Sequence, residues 1–155
     1  MKVVKFGGSS LASGKQLEKV FQIVMSDPER KVVVVSAPGK RNSEDIKVTD
    51  LLIECAEKSL ANSNPVKEIE AVLGRYRDIA EELSLPAEII AEIQDDLYAR
   101  LNGDKDKPDR YIDRLKAAGE DNNAKLVAAF FRKREVEAFY VDPKEAGLLV
   151  SPEPG

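Results

Sequence analysis

Met1-Lys2-Val3-Val4-Lys5-Phe6-Gly7-Gly8-Ser9-Ser10 decides the reading of this chain. Val3, Val4 and Phe6 favour a short buried strand, and Gly7-Gly8 ends it at two positions free to take any backbone geometry. Ser9 and Ser10 then lead towards a helix. A strand that stops at glycines, with hydroxyls after it and Lys5 just before the turn, brings bare backbone N–H groups and a positive charge up to a phosphate. The same pattern also ends strands for ordinary turn reasons, so this stretch alone leaves both readings open.

Further along, Ser13 with Gln16 makes a capping box, and Leu17, Val20, Phe21 and Val24 share one helical face that ends near Ser26-Asp27-Pro28. Lys31 to Ala37 is a continuous β-branched run, the pattern of a strand buried on both faces of a parallel sheet. Strand, helix and strand make a βαβ unit. Its right-handed crossover places Gly7-Gly8 and Ser36 on the same carboxyl edge of the sheet, where ligands bind in open α/β folds.

A polar loop, Pro38 to Asp45, follows at that edge, and its Lys40 and Arg41 read either as solvated surface charges or as phosphate-steering cations. Thr49, or a residue just before it, caps the next helix, which buries Leu52, Cys55, Ala56 and Leu60. Asn64-Pro65 starts another helix with the stripe Ile69, Val72, Leu73, Tyr76, Ala80 and Leu83. Ser84-Leu85-Pro86 breaks it, and Ile89, Ile90, Ile93, Leu97 and Leu101 form a further stripe closed by Asn102-Gly103. Residues 65–107, ending in the polar loop Asp104 to Pro108, thus read as a helical excursion from the sheet. Helices over 109–118 and 120–132 meet at Gly119, Val136 to Val141 reads as the next strand, Asp142-Pro143 starts a turn, and Gly147 to Val150 is a short apolar run.

The 155 residues suffice for one compact α/β domain, and a formal charge of -4 with both signs mixed offers no basic face for nucleic acid or anionic membrane. No apolar run approaches the roughly 20 residues of a membrane span, and the N-terminal apolar run is too short for a signal peptide. Cys55 is the only cysteine, which fits a reducing, cytoplasmic setting and a packing role. With no histidine in the sequence, Ser-His-Asp and Cys-His catalysis and His-ligated zinc are excluded within this chain. A Walker loop at Gly14-Lys15 fails at Ser9 and again at Gln16, and no Gly-x-Gly-x-x-Gly follows a strand.

Lys5-Phe6-Gly7-Gly8-Ser9-Ser10 resembles the Lys-Phe-Gly-Gly-Thr-Ser opening of the aspartate kinases, members of the amino acid kinase superfamily, with Ser9 for threonine and Leu11 for valine. Val33-Val34-Val35-Ser36-Ala37 is similar to that family's second strand and turn, and Val48-Thr49-Asp50-Leu51-Leu52 to the start of its following helix. Gly119-Glu120 resembles the family's Gly-Glu motif, although Asn123 stands where the family usually has serine. Glu120 by itself reads equally as a first-turn glutamate favoured by a helix dipole. The resemblance is collinear over essentially the whole chain, through Val141-Asp142 and the following Leu148-Leu149-Val150-Ser151.

The resemblance implies a three-layer, mostly parallel sheet between helices, of which residues 1–155 form the N-terminal, amino-acid-substrate part. It implies an aspartate kinase that transfers the γ-phosphoryl of ATP, with Mg2+, to the side-chain carboxylate of L-aspartate, the first step towards lysine, threonine and methionine, in a homo-oligomeric parent. Lys5 would neutralise the transferred phosphoryl, Phe6, Gly7, Gly8, Ser9 and Ser36 would line the nucleotide phosphates, and Thr49 and Glu120 would hold aspartate. No metal ligand is assigned within the chain. The fragment is expected to be inactive alone, since the family's adenine pocket and regulatory domains lie beyond it. The alternatives are another amino acid kinase, such as a glutamate or acetylglutamate kinase, and a non-catalytic binding or assembly module.

Overall fold

Strand β1 (Lys2–Phe6) lies parallel to β2 (Arg30–Val35) in the computed structural model, which describes residues 1–149 of the chain. The register pairs Val4 with Val33 and Phe6 with Val35, with one irregularity between Lys2 and Val3. Helix α1 (Gly14–Met25) connects the two strands. Ser13 caps it as the sequence predicts, its Oγ accepting from the Gln16 N–H at 3.3 Å, and a Glu82 carboxylate oxygen takes the Lys15 N–H at 3.1 Å. Both strands therefore end at one edge, where Ser36 N–H donates to the Phe6 carbonyl.

Val4, Phe6, Val33 and Val35 face the core, whereas Val3 (63% exposed), Val32 (40%) and Val34 (43%) face outward. The expected burial of β2 on both faces is thus met on one face only, because a second helical layer is not among the described residues. The α/β class stands, with helices on the other side.

Four further helices follow: α2 (Val48–Leu60), α3 (Val66–Glu82), α4 (Ala87–Leu101) and α5 (Pro108–Lys133). The segment 65–107 forms α3 and α4, and these pack into the same core as α1, α2 and α5 instead of standing apart, with Tyr76, Ile79, Ile93 and Leu97 almost wholly buried. Cys55 is buried on α2 among them. Phe21, Phe130 and Phe131 form an edge-on cluster with centroids 5.0 to 6.0 Å apart, covered by the Arg134 guanidinium, which also pairs with Glu18. Phe130→Ala is expected to destabilise the fold by about 3–5 kcal/mol through the cavity it leaves. A urea midpoint that falls at unchanged m value is the check.

Two local expectations are corrected and one alternative is decided. Residues 109–118 and 120–132 are one helix, and Gly119 lies in its interior. A Cβ there would stand 2.8 Å from the Ala37 Cβ and 3.3 Å from Leu52 Cδ1, so the glycine serves close packing of α5 against the β2 edge and does not break the helix. Its cost in helix propensity, roughly 0.5–1 kcal/mol, is small against the burial of α5 on both sides of it. Of the two readings of the α2 cap, a residue just before Thr49 holds: Lys47 takes that position without a side-chain bond, and Thr49 sits inside the first turn. Residues 136–141 form no strand. They keep a strand's alternation, with Val136, Ala138 and Tyr140 partly buried and Phe139 (73%) and Val141 (62%) exposed, but among the described residues no neighbouring strand supplies a ladder.

The turn at Asp142-Pro143 is present, closed by Ala146 N–H to the Asp142 carbonyl and Leu148 N–H to the Pro143 carbonyl. Of the apolar run 147–150, Val150 lies outside the described residues, as do Ser151 to Gly155.

Candidate functional site

The carboxyl edge of the strands opens into a cavity of about 400 Å³ lined by Gly8, Ser9, Ser36, Ala37, Pro38, Gly39, Lys40, Lys47, Thr49 and Glu120. Five residues to which the resemblance assigns a role, Gly8, Ser9, Ser36, Thr49 and Glu120, meet there although they come from four separate parts of the chain. Lys5, Phe6 and Gly7 do not line it. Phe6 points into the core, and Lys5 lies exposed on the opposite face of β1, alongside Val3 on the uncovered side of the sheet.

Two glycine turns meet back to back beside the cavity. Gly39 N–H donates to the Gly8 carbonyl at 2.8 Å, and a Cβ on Gly39 would stand 2.6 Å from the Gly8 carbonyl carbon and 2.8 Å from Ser9 N. A Cβ on Gly8 would meet the Ala37 carbonyl at 2.9 Å. Neither Gly7 nor Gly8 has a positive φ, so the glycines are needed for proximity and not for an unusual backbone. Gly7 is extended with open space where a Cβ would be. A short 3-10 turn over Gly8–Leu11 then carries Ser9 to the cavity wall.

Helix α5 braces the end of β2. Asn123 is fully buried and donates from Nδ2 to the Ser36 carbonyl at 2.6 Å, and Glu120 Oε1 accepts a long 3.4 Å bond from Ala37 N–H. Tyr76 donates to the Gly119 carbonyl at 2.8 Å, and burial, with Glu120 nearby, pushes its hydroxyl far above the ordinary range. Because Glu120 lies mid-helix, the helix-dipole reading of it falls away, and its carboxylate is left exposed at the cavity.

The two cations of the 38–45 loop separate. Lys40 lines the cavity, but Arg41 does not: its guanidinium is committed to Asp45 at 2.8 Å and to Asp78 at 2.8 Å. The Arg41 hydrogen bond, with Arg75 beside it, holds the Asp45 carboxyl well below the usual carboxylate range. For a depressed carboxyl, that stabilisation is present above the unfolded value near pH 4 and is lost as the pH falls through the folded one. Sequence reasoning missed Lys47, Gly39 and the bracing role of Asn123. Gly39 was legible as a second glycine at the same edge, whereas Lys47 carried no local signal.

The sequence profile of the amino acid kinase family matches residues 1–155. Aspartokinase 3 of Bacillus subtilis is 63% identical over 155 residues, all of this chain and 34% of that protein. The chloroplastic aspartokinase 2 of Arabidopsis thaliana is 28% identical over 153 residues, 96% of this chain and 28% of that protein. The chain therefore spans 34% and 28% of the lengths of these relatives. The crystal structure of Clostridium acetobutylicum aspartate kinase superposes with a TM-score of 0.72 at 34% identity, covering 84% of this chain and 29% of that one. Escherichia coli aspartokinase III in complex with aspartate and ADP shares the fold at a TM-score of 0.67 and 24% identity, over 87% of this chain and 29% of that one. With its whole length matched by the family profile, this chain belongs to the amino acid kinase family.

Proposed function

We propose that the full-length protein is an aspartate kinase that transfers the γ-phosphoryl of ATP to the side-chain carboxylate of L-aspartate, giving 4-phospho-L-aspartate, and that this chain holds the aspartate side of the site. The observation that carries this reading is the charge pattern of the cavity, where Lys40 and Lys47 face in together with the single carboxylate Glu120. Aspartate at neutral pH presents two carboxylates and one ammonium, so the lining complements it in number and sign of charge. The volume of about 400 Å³ suits a small amino acid. The 63% identity to a Bacillus aspartokinase supports the same reading.

The residues suit the chemistry. A carboxylate with a reference pKa of about 3.9 is already ionised at neutral pH, so the nucleophile needs no general base and a histidine-free chain loses nothing. Catalysis then consists of holding two anions in line and neutralising their repulsion. Glu120 takes the α-ammonium, Thr49 and the lysines take carboxylate oxygens, and the Gly8 turn presents backbone to the phosphoryl group. Lys5, exposed at the end of β1 on the uncovered face, would neutralise the phosphoryl group of a nucleotide bound against that face. Mg2+ enters as part of the MgATP substrate; no group of three His, Cys, Asp or Glu among the described residues could hold a metal on its own.

Glu120→Gln in the full-length protein tests the reading. A contact with the α-ammonium is made equally in ground and transition states, so the KM for aspartate should rise at least about tenfold while the KM for ATP stays within about twofold. Thr49→Val should shift the aspartate KM in the same direction by less, since only a neutral hydroxyl is removed. The fold should not suffer from Glu120→Gln, because the 3.4 Å bond that Glu120 accepts from Ala37 N–H can equally be accepted by the amide oxygen. Unchanged aspartate KM in both variants would reject the assignment.

A further inference from the structure

Residues 36–47 link β2 to α2 without regular structure and supply Ser36, Ala37, Pro38, Gly39, Lys40 and Lys47 to the cavity. From Lys40 to Glu44 the segment is exposed, so apolar packing does not fix it. Its anchor comes from α3. Arg75 is 4% exposed, and its guanidinium donates from Nη2 to the Gly39 carbonyl at 2.5 Å and from Nη1 to the Ile46 carbonyl at 2.8 Å, with Asp45 at 3.0 Å. Its Nε has no partner among the described residues, so all of its hydrogen bonding goes to this one segment.

The two carbonyls that Arg75 grips belong to the residues immediately before Lys40 and Lys47. One rigid planar fork thereby fixes where both cavity lysines leave the backbone, and so the distance between them. The grip continues to the first turn, because Gly39, held at its carbonyl by Arg75, donates its own N–H to the Gly8 carbonyl. We propose that Arg75 is a positioning residue that sets the spacing of Lys40 and Lys47 across the cavity, and through Gly39 the seat of the Gly8 turn, without touching substrate. In terms of the aspartate reading, on which this ligand assignment rests, Arg75 determines how well the two lysines match the two carboxylates of one small substrate.

The test is Arg75→Lys in the full-length protein, read by hydrogen exchange and by kinetics together. A lysine keeps the positive charge beside Asp45 but cannot hold two separated carbonyls in one plane. Amide exchange in peptides covering 38–47 should therefore accelerate about tenfold or more while peptides of α4 and α5 keep their protection. The KM for aspartate should rise about tenfold with the KM for ATP nearly unchanged. A residue that merely neutralises Asp45 or fills space would be rescued by lysine, so wild-type exchange in 38–47 or a wild-type aspartate KM overturns the proposal. Asp45→Asn, which leaves both carbonyl bonds in place, serves if Arg75→Lys does not fold. Near-wild-type protection of 38–47 in that variant supports the proposal, and faster exchange confined to 38–47, which would place the anchor on the Asp45 carboxylate, overturns it. If the wild-type enzyme phosphorylates no aspartate, the aspartate reading fails by itself, and the exchange result alone decides the role of Arg75.

Discussion

Lys5→Ala in the full-length protein is expected to lower kcat by about a hundredfold or more, roughly 3 kcal/mol of transition-state stabilisation, and to leave the fold intact. The fold is spared because Lys5 is exposed on the outward face of β1. The rate should fall, because phosphoryl transfer between two anions gathers negative charge that the proposed contact with Lys5 would neutralise. Lys5→Arg should recover little, since a planar fork places its charge differently from a compact ammonium. Rapid-quench measurement of the chemical step, with circular dichroism as the control on folding, decides the matter. A Lys5→Ala enzyme of normal kcat would make Lys5 an ordinary surface lysine.

Gly39→Ala is expected to act from the other side of the same edge. The added methyl would meet Gly8 and Ser9 backbone at 2.6 to 2.8 Å, and backbone cannot swing aside as the tip of a flexible side chain can. Separating the two turns should destabilise the protein by about 1–3 kcal/mol. It should also reduce kcat/KM by about a hundredfold, the usual effect of a displacement near 1 Å in a positioned site. Gly7→Ala makes the contrast: the residue is extended with nothing within 4 Å of its Cβ position, so its thermal midpoint should match the wild type. Paired thermal melts and steady-state kinetics on the two alanine variants measure both effects.

The βαβ start was legible because its signals are local. Val3, Val4 and Phe6 before Gly7, the Ser13 cap and the β-branched run from Val32 each act within a few residues of where they are read. The misreadings share a physical cause. Gly119 looks like a helix break from its propensity, but it answers to Ala37 and Leu52, far away in sequence. Residues 136–141 have a strand's side-chain alternation, and no sequence pattern states whether a partner strand will be present. The cavity was half legible: Gly8, Ser9, Ser36, Thr49 and Glu120 came from motif resemblance, whereas Lys47 and Asn123 depend on how α2 and α5 meet the sheet edge. Arg75 did leave a trace. It follows Val72 by three residues and precedes Ile79 by four, a cation on a helical row whose neighbours are buried, which demands buried acceptors nearby.

The burial of Cys55 gives the protein a chemical clock. The side chain is fully inaccessible, and desolvation pushes its thiol up to about 11, so in the native state it is neither reachable nor ionised at neutral pH. A thiol reagent can react only during excursions that open the packing between α2 and its neighbours. No other cysteine of this chain competes, so the labelling rate at Cys55 counts those openings directly. When reclosure outpaces labelling, the rate reports the open-state population, so core variants such as Phe130→Ala can be ranked without denaturant from the rise of a single absorbance or mass peak.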